Sequence, residues 1–425
     1  MLRLVLAVSL GRLAGFLSRL IGRGGSAIPG LIAGKIDGGV IDKLVASLPG
    51  GVVIVTGTNG KTTTTKMLVT ALERSGKPVL TNPTGSNLAR GVATVLISAS
   101  RRGRIRGYEM AVFEIDEAAV SVLAPRLDPR LVVVTNLGRD QLDRYGELDT
   151  TAAHVGIAVT AAKRAVLNAD DPVVAALDVG RTSWFGAVGE IRHTMPHDQV
   201  LYGDDGPEDP AVEVDGLLEI ADARGDGQRI TVALAETRVE IDLRVPGAYN
   251  GYNATAALLA AAELGVDPVA AASSLEQMPP AFGRGQVIAF KDRRIKLMLV
   301  KNPAGFNQAL RLLLDAPEPA NVLIAINDNH ADGRDVSWLW DVRFEDLQRT
   351  GHKVGASGIR AADMSLRLKY AGIESWSESG LSEALAKAVT MSNEGETIYV
   401  VPTYTAMLSL LELLLPGTAR SAAWT

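Results

Sequence analysis

The chain has 425 residues, 47% hydrophobic and 21% charged, with a formal net charge of −5. That length exceeds one ordinary core and implies two or three domains of a globular enzyme, not a disordered chain. The acidic balance argues against general nucleic-acid binding, and the lack of any cysteine removes disulfides, thiolate zinc sites and a cysteine nucleophile together.

The opening stretch, Leu2–Ile21, is apolar enough to resemble a signal or an anchor. Arg3, Arg12 and Arg19 interrupt it, its longest uncharged run is well short of a membrane span, and no small-residue cleavage site follows. At helical spacing Leu6, Leu10, Leu13, Leu17 and Leu20 share one face, while Arg12, Arg19 and Arg23 share another. Two readings of this amphipathic basic helix stand open: packing on its own protein, or a peripheral contact with a membrane surface. Gly22-Arg23-Gly24-Gly25 and Pro29-Gly30 end it, and a second helical segment within Leu31–Leu48 leads into Pro49-Gly50.

The apolar run Val52–Val55 then meets Thr56-Gly57-Thr58-Asn59-Gly60-Lys61-Thr62-Thr63, and a helical pattern through Met67, Leu68, Ala71 and Leu72 stops at Gly76. Strand, glycine loop and helix in that order form the context of a phosphate-binding loop. Backbone N–H groups of Gly57 to Gly60 and of Thr63, with the positive helix end, suit phosphate oxygens. Lys61 then reaches the terminal phosphates, and the Thr62 hydroxyl serves Mg²⁺. The strict GxxxxGK[ST] pattern fails, because Val55 stands where its first glycine belongs.

A short strand, Pro78–Leu80, and a polar turn follow; Ser86 or Asn87 is placed to cap the helix Leu88–Ser98. The strand Met110–Ile115 carries Glu114 and Asp116 near its end, and Leu131–Thr135 ends at Asn136. The charged loop Asn136–Glu147 comes next, then the strand Ala165–Leu167 exits into Asn168-Ala169-Asp170-Asp171-Pro172. This alternation predicts an open α/β sheet with its site at the C-terminal strand ends. Between 186 and 245 helical periodicity fades and Gly/Asp-rich breaks predict antiparallel hairpins. An alanine-rich helix opens near Asn250 and Asn253 and runs to Leu264; Phe282-Gly283-Arg284-Gly285 reads as a hinge. Beyond it, strands about Val287–Phe290, Ile295–Val300, Val322–Ile326 and Ile398–Val401, with helices Phe306–Leu314 and Ala406–Leu414, predict a smaller Rossmann-like domain. The expected division is a helical segment 1–50, a central ATP-binding domain 51–285 (with the antiparallel extension at 187–245), and a C-terminal domain 286–425.

The local form Gly57-Thr58-Asn59-Gly60-Lys61-Thr62-Thr63 resembles the shortened loop of the Mur ligase family. Three further segments resemble its MurT branch: Asn136 with Arg139–Glu147, Lys301-Asn302-Pro303-Ala304-Gly305, and Asp332-Gly333-Arg334-Asp335-Val336-Ser337-Trp338. General Mur ligases usually have a histidine in the first, where this chain has Asp140-Gln141. The resemblance implies ATP-dependent amidation of the D-glutamate α-carboxylate in the lipid II stem peptide, through an acyl phosphate, for peptidoglycan synthesis. Ammonia would come from a separate GatD-like glutaminase partner, which would carry the cysteine lacking here. It implies a cytoplasmic protein, acting at the inner face of the membrane.

Carried over residue by residue, the resemblance makes Lys61 and Glu114 catalytic, with Thr62 and Glu114 on Mg²⁺. It brings Asn168, Asp170, Asn250, Asn253 and Arg284 to the nucleotide, although helix capping explains Asn250 or Asn253 almost as well, and a surface position explains Arg284. Asp335, with Asp341 as its close competitor and Asp332 behind both, would orient the partner's catalytic histidine. Trp338 and Trp340 suit either an interface or a core. No zinc is expected, since the region about 187–240 lacks the four cysteines of the ribbon often inserted there. No lysine is assigned to carbamylation, because Lys163 lies too close to the Asn168 segment. Two other readings are open: a ligase of this fold that adds an amino acid, as folate and peptidoglycan ligases do, and a non-catalytic nucleotide-binding scaffold.

Overall fold

The computed structural model describes residues 2–20, 28–82, 86–138, 148–192, 212–224, 226–279, 284–317 and 319–416. Within them the chain forms two α/β units, each built on a mainly parallel sheet.

In the first sheet β1 (Val52–Thr56) pairs in parallel with β5 (Met110–Glu114) on one side and β6 (Leu131–Val134) on the other. β2 (Val79–Thr81) lies beyond β5. On the far side β7 (Arg164–Asn168), β8 (Thr182–Ala187) and β9 (Gly216–Arg224) extend the parallel ladder. β10 (Gly227–Leu234) and β11 (Thr237–Leu243) complete it as antiparallel hairpins. β1 is buried along its whole length because both sheet faces are covered. Its period-two alternation sends Val52 and Ile54 into one core and Val53 and Val55 into the other.

The first core is covered mainly by α1 (Leu2–Leu20), α2 (Ile28–Ile36), α3 (Val40–Val45), α5 (Ala89–Ala99), α6 (Glu117–Leu127) and α7 (Leu148–Ala161). The second core is covered by α4 (Lys61–Arg74), α10 (Ala248–Glu263) and α11 (Pro268–Glu276). The chain also forms the short hairpin β3 (Ser100–Arg101) and β4 (Arg104–Ile105), and the single turns α8 (Pro172–Ala175) and α9 (Gly189–Arg192).

Two local expectations change. α5 begins at Ala89, its N-cap is Leu88, and neither Ser86 nor Asn87 caps it with a side chain. α1 does pack on its own protein, against α2 and α5, but not through Leu6, Leu10, Leu13 and Leu17. The buried face is Leu4, Ala7, Val8, Gly11, Gly15 and Ser18. A Cβ at Gly15 would stand only 2.8 Å from the Pro29 ring, so the small residues are what let the two helices approach.

The second sheet runs β12-β13-β17-β14-β15-β16. β12 (Arg284–Phe290) is antiparallel to β13 (Arg293–Met298). β17 (Thr397–Pro402), β14 (Asn321–Ala325), β15 (Lys353–Ser357) and β16 (Ser375–Ser377) continue in parallel. Its helices are α12 (Pro303–Leu314), α13 (Ala361–Tyr370), α14 (Leu381–Thr390) and α15 (Tyr404–Leu414). Phe306 anchors one core, edge-on to Phe344 at 4.9 Å and tilted to Trp338 at 6.3 Å.

Side chains tie the two units together. Asn302 Nδ2 donates to Asn59 Oδ1 at 3.1 Å, and Asp226 pairs with Arg294 and, at 3.3 Å, with Lys296.

Candidate active site

The loop between β1 and α4 lies at the C-terminal end of the parallel strands, where an open α/β sheet offers its ligand crevice. Two glycines there are sterically obligatory. Gly57 (φ 124°) lies against Thr135, and Gly60 (φ 88°), the N-cap of α4, lies against the amide of Asn253, so a side chain at either would collide. Asn59 is held by Asn136, which accepts from its N–H at 2.9 Å and donates to its carbonyl at 3.0 Å. Thr135 also donates to that carbonyl, at 2.6 Å. The loop is thereby preformed. The first-turn N–H groups of α4, at Lys61, Thr62 and Thr63, have no partner in the helix's own ladder and form an anion-binding end.

Lys61 is buried. Its ammonium donates to Glu117 Oε2 at 2.8 Å and to the carbonyl of Gly57. Burial pulls its pKa down, but Glu117, Asp116 and Glu114 more than offset that and hold it above the ordinary lysine value. It therefore stays a full cation at neutral pH. Glu117, at the first position of α6, was not singled out from the sequence. Its pairing with Lys61, 56 residues earlier in the chain, carries no local sequence signal.

Glu114 is buried at the end of β5. Asn82 fixes its main chain from both sides, accepting from its N–H at 2.9 Å and donating to its carbonyl at 2.9 Å. Its carboxylate takes no hydrogen bond among the described residues, whereas Asp116 caps α6 through Ala118 N and Glu117 is spent on Lys61. An unspent buried carboxylate beside the first turn of α4, with the Thr62 hydroxyl there, is a donor set that fits Mg²⁺. That ion commonly takes one or two carboxylates and completes its shell with phosphate and water. No group of three or more acidic or histidine side chains suited to a metal occurs among the described residues.

A cavity of about 240 Å³ opens beside the loop between the two units. Asn59, Gly60, Asn168, Asp170 and Asn253 line it from the first, and Lys301 and Gly305 from the second. Phe185, Tyr249 and Tyr252 supply aromatic walls that the sequence did not mark. Asn168 donates to the carbonyl of Thr135 at 2.8 Å. Asp170 pairs with Arg192 at 2.9 Å and accepts from Tyr252 Oη and Ala187 N, each at 2.7 Å. Burial, with the Asp170 charge beside it, pushes the Tyr252 phenol far above its ordinary value, so it remains a donor. Asn250 and Asn253 do not cap α10, whose N-cap is Gly247. They lie inside the helix, buried and bonded to each other at 3.3 Å, and Asn253 also accepts from Thr64 at 3.3 Å. Arg284 starts β12, but its side chain lies outside the described residues, as does the whole segment 139–147.

Lys301–Gly305 forms the entry to α12. Asn302 caps it, accepting from Gly305 N at 2.8 Å, while its amide donates to Asn59 of the loop. Asn302→Ala removes a helix cap and the bond between units together. We expect about 1–2 kcal/mol of destabilisation, read in urea unfolding by tryptophan fluorescence. An unchanged midpoint would show that neither bond contributes.

The three acids of 332–341 separate clearly. Asp332 is buried and bonded to Thr405 N at 2.7 Å, to the Thr405 hydroxyl and to Asn329 N; burial raises its pKa, against the pull of these bonds. It is a strut. Asp335 is half-buried, with Oδ1 held by Ser337 N at 2.8 Å. Asp341 is exposed. Trp338 joins the core, while Trp340 is 50% exposed and meets Tyr370 edge-on at 5.4 Å.

Family models described as the Mur ligase middle domain and the MurT ligase C-terminal domain match residues 55–261 and 299–407. The lipid II isoglutaminyl synthase (glutamine-hydrolyzing) subunit MurT of Streptococcus pneumoniae is 31% identical, over 97% of this chain and 97% of its own. The protein of the same name from Staphylococcus aureus strain N315 is 30% identical, over 96% and 97%. Among solved structures, MurF from Acinetobacter baumannii superposes with a TM-score of 0.69 at 19% identity, covering 92% of this chain and 80% of that one. MurF ligase from Thermotoga maritima in complex with ADP gives 0.67 at 17% identity, over 93% and 84%.

Proposed function

This chain belongs to the MurT family of the Mur ligases, and on that premise we propose that it is the ATP-using subunit of a lipid II isoglutaminyl synthase. The observation that carries the reading is the buried cluster of Lys61, Glu117 and Glu114 beside a preformed anion loop, faced across a cavity by Lys301–Gly305. Such an arrangement suits the activation of one anion by another. The D-glutamate α-carboxylate oxygen attacks the γ-phosphorus of ATP, ADP leaves, and an acyl phosphate forms. Ammonia then attacks the acyl carbon, loses a proton, and expels phosphate to leave the amide.

A carboxylate and a triphosphate repel each other, so the site must offset their charge. Lys61 supplies a fixed cation, and the N–H groups of α4 receive phosphate oxygens. Mg²⁺, held by Thr62 and Glu114, would add charge neutralisation when bound. The walls contributed by Tyr249 and Phe185 suit a nucleoside. Arg284 is proposed to approach phosphate from the hinge.

Ammonia needs a source, and a chain without cysteine cannot hydrolyse glutamine through a thiol. We therefore assign a GatD-like glutaminase as partner, with Asp335 orienting its histidine through the triad role of an acid. Asp335 has one carboxylate oxygen fixed by its own turn, which supports it over exposed Asp341.

ADP release with a lipid II analogue tests the reading. Turnover is expected with ammonium alone, and with glutamine only when the glutaminase is present. Asp335→Asn should cut the glutamine-dependent rate by roughly 10²- to 10⁴-fold and leave the ammonium rate intact. Asp341→Asn should change neither. Turnover with amino acids and none with ammonium would replace this reading by an amino-acid-adding ligase; no ADP release with any acceptor would leave a nucleotide-binding scaffold.

A further inference from the structure

We infer that the outer face of α1 and the adjoining β3–β4 turn form one docking surface for an anionic lipid bilayer. The inference stands on the surface itself; the lipid-linked substrate proposed above gives it a use.

Because α1 packs through Leu4, Ala7, Val8, Gly11, Gly15 and Ser18, a second set of large side chains points outward. Leu2, Leu6, Leu10, Leu13, Phe16 and Leu17 are between 40% and 87% exposed, along one side of a helix of 19 residues. A continuous apolar stripe of this kind marks an interaction site. The helix is not long and apolar enough to cross a membrane, and a helix about 28 Å long with one apolar side suits lying in the plane of an interface.

The β3–β4 turn belongs to the same surface. Arg12 donates to the carbonyl of Ser100 at 2.6 Å, and a Cβ on Gly103 would lie 3.1 Å from the side chain of Leu4. Arg101, Arg102 and Arg104 on this turn, and Arg106 after it, are exposed. The charge distribution settles the kind of occupant. Segments 1–36 and 86–108 hold ten of the 43 basic residues and none of the 48 acidic ones. The remaining chain therefore has 33 basic against 48 acidic residues, yet these two segments carry basic residues alone. A second copy of this face would set cations against cations. A bilayer with anionic headgroups satisfies both features: the leucines enter the acyl boundary while the arginines meet phosphates.

The test is flotation of the full chain, alone and with its glutaminase partner, on vesicles of phosphatidylcholine and of equal parts phosphatidylcholine and phosphatidylglycerol. Binding is expected on the second and not the first, and it should fall as screening shortens in about 1 M salt. Leu6→Gln with Leu13→Gln should lower the bound fraction roughly tenfold. Arg101→Gln, Arg102→Gln and Arg104→Gln together should lower it by more, at about fivefold per arginine. All five side chains are exposed, so melting temperature and ADP release with a soluble acceptor should not move. The inference is overturned if wild type does not float, if the variants float equally well, or if the partner abolishes binding. It is also overturned if the leucine variant dissolves a self-associated species that never bound vesicles.

Discussion

Lys61→Ala is expected to stop ADP release with every acceptor, ammonium and glutamine alike, by roughly 10³-fold or more. The size follows from the surroundings. The ammonium lies in a nearly dry slot where three carboxylates hold its proton on, and nothing else among the described residues of the loop offers a cation. Water cannot replace it, and removing it leaves Glu117 buried as an extra negative charge where phosphate must enter. Lys61→Arg is expected to rescue little, because a planar fork replaces a compact ammonium. A single-turnover assay at saturating ATP separates lost chemistry from lost binding. A rate within tenfold of wild type would end the phosphate role assigned to this residue.

Asp170→Ala is the second large effect, and it is read in stability. Its carboxylate is the meeting point of Arg192 from α9, Tyr252 from α10 and the Ala187 N–H at the end of β8. Truncation leaves a guanidinium buried without its partner and two donors unmet, a loss of about 3–5 kcal/mol. That is a large share of the ~5–15 kcal/mol that holds a domain folded. Denaturant unfolding checks it, and Asp170→Ala combined with Arg192→Met should recover part of the loss by removing the stranded charge. If stability is untouched and only the KM for ATP rises, the carboxylate's principal contact is the nucleotide, as the family resemblance implies for this position.

Some of this was legible in the chain and some was not, for physical reasons. Gly-Lys-Thr after Val52–Val55 reads directly as loop and helix start because the steric and electrostatic demands are local. The same holds for the apolar strands: both sheet faces are covered, so they appear as unbroken runs. The hairpins at 216–243 were visible as alternation. What could not be read was anything decided by distant partners. Glu117 looks like one more surface acid until β5 and β1 are placed side by side. Asp170 and Tyr252 are 82 residues apart in sequence. α1 misled in a different way. Its leucine stripe has the stronger apolar periodicity, but Gly11 and Gly15 let a neighbouring helix come closer than leucines allow, and close backbone contact won.

The contact of Gly60 and Thr64 with Asn253 also sets a timetable for biosynthesis. The phosphate loop and the helix that completes its back are 189 residues apart. At ribosomal speeds of about 5–20 residues per second, the loop waits roughly 10–40 s for that helix to be made. During this interval Val53 and Val55 of the growing sheet, and Leu68 of α4, have no cover from α10. Until then the nascent chain offers a sticky apolar surface to chaperones and to its neighbours on the polysome. Nucleotide is no remedy at that stage, since the wall carrying Asn253 and Tyr252 does not yet exist. A slow stretch of translation just after residue 263 would thus favour correct maturation more than one placed earlier.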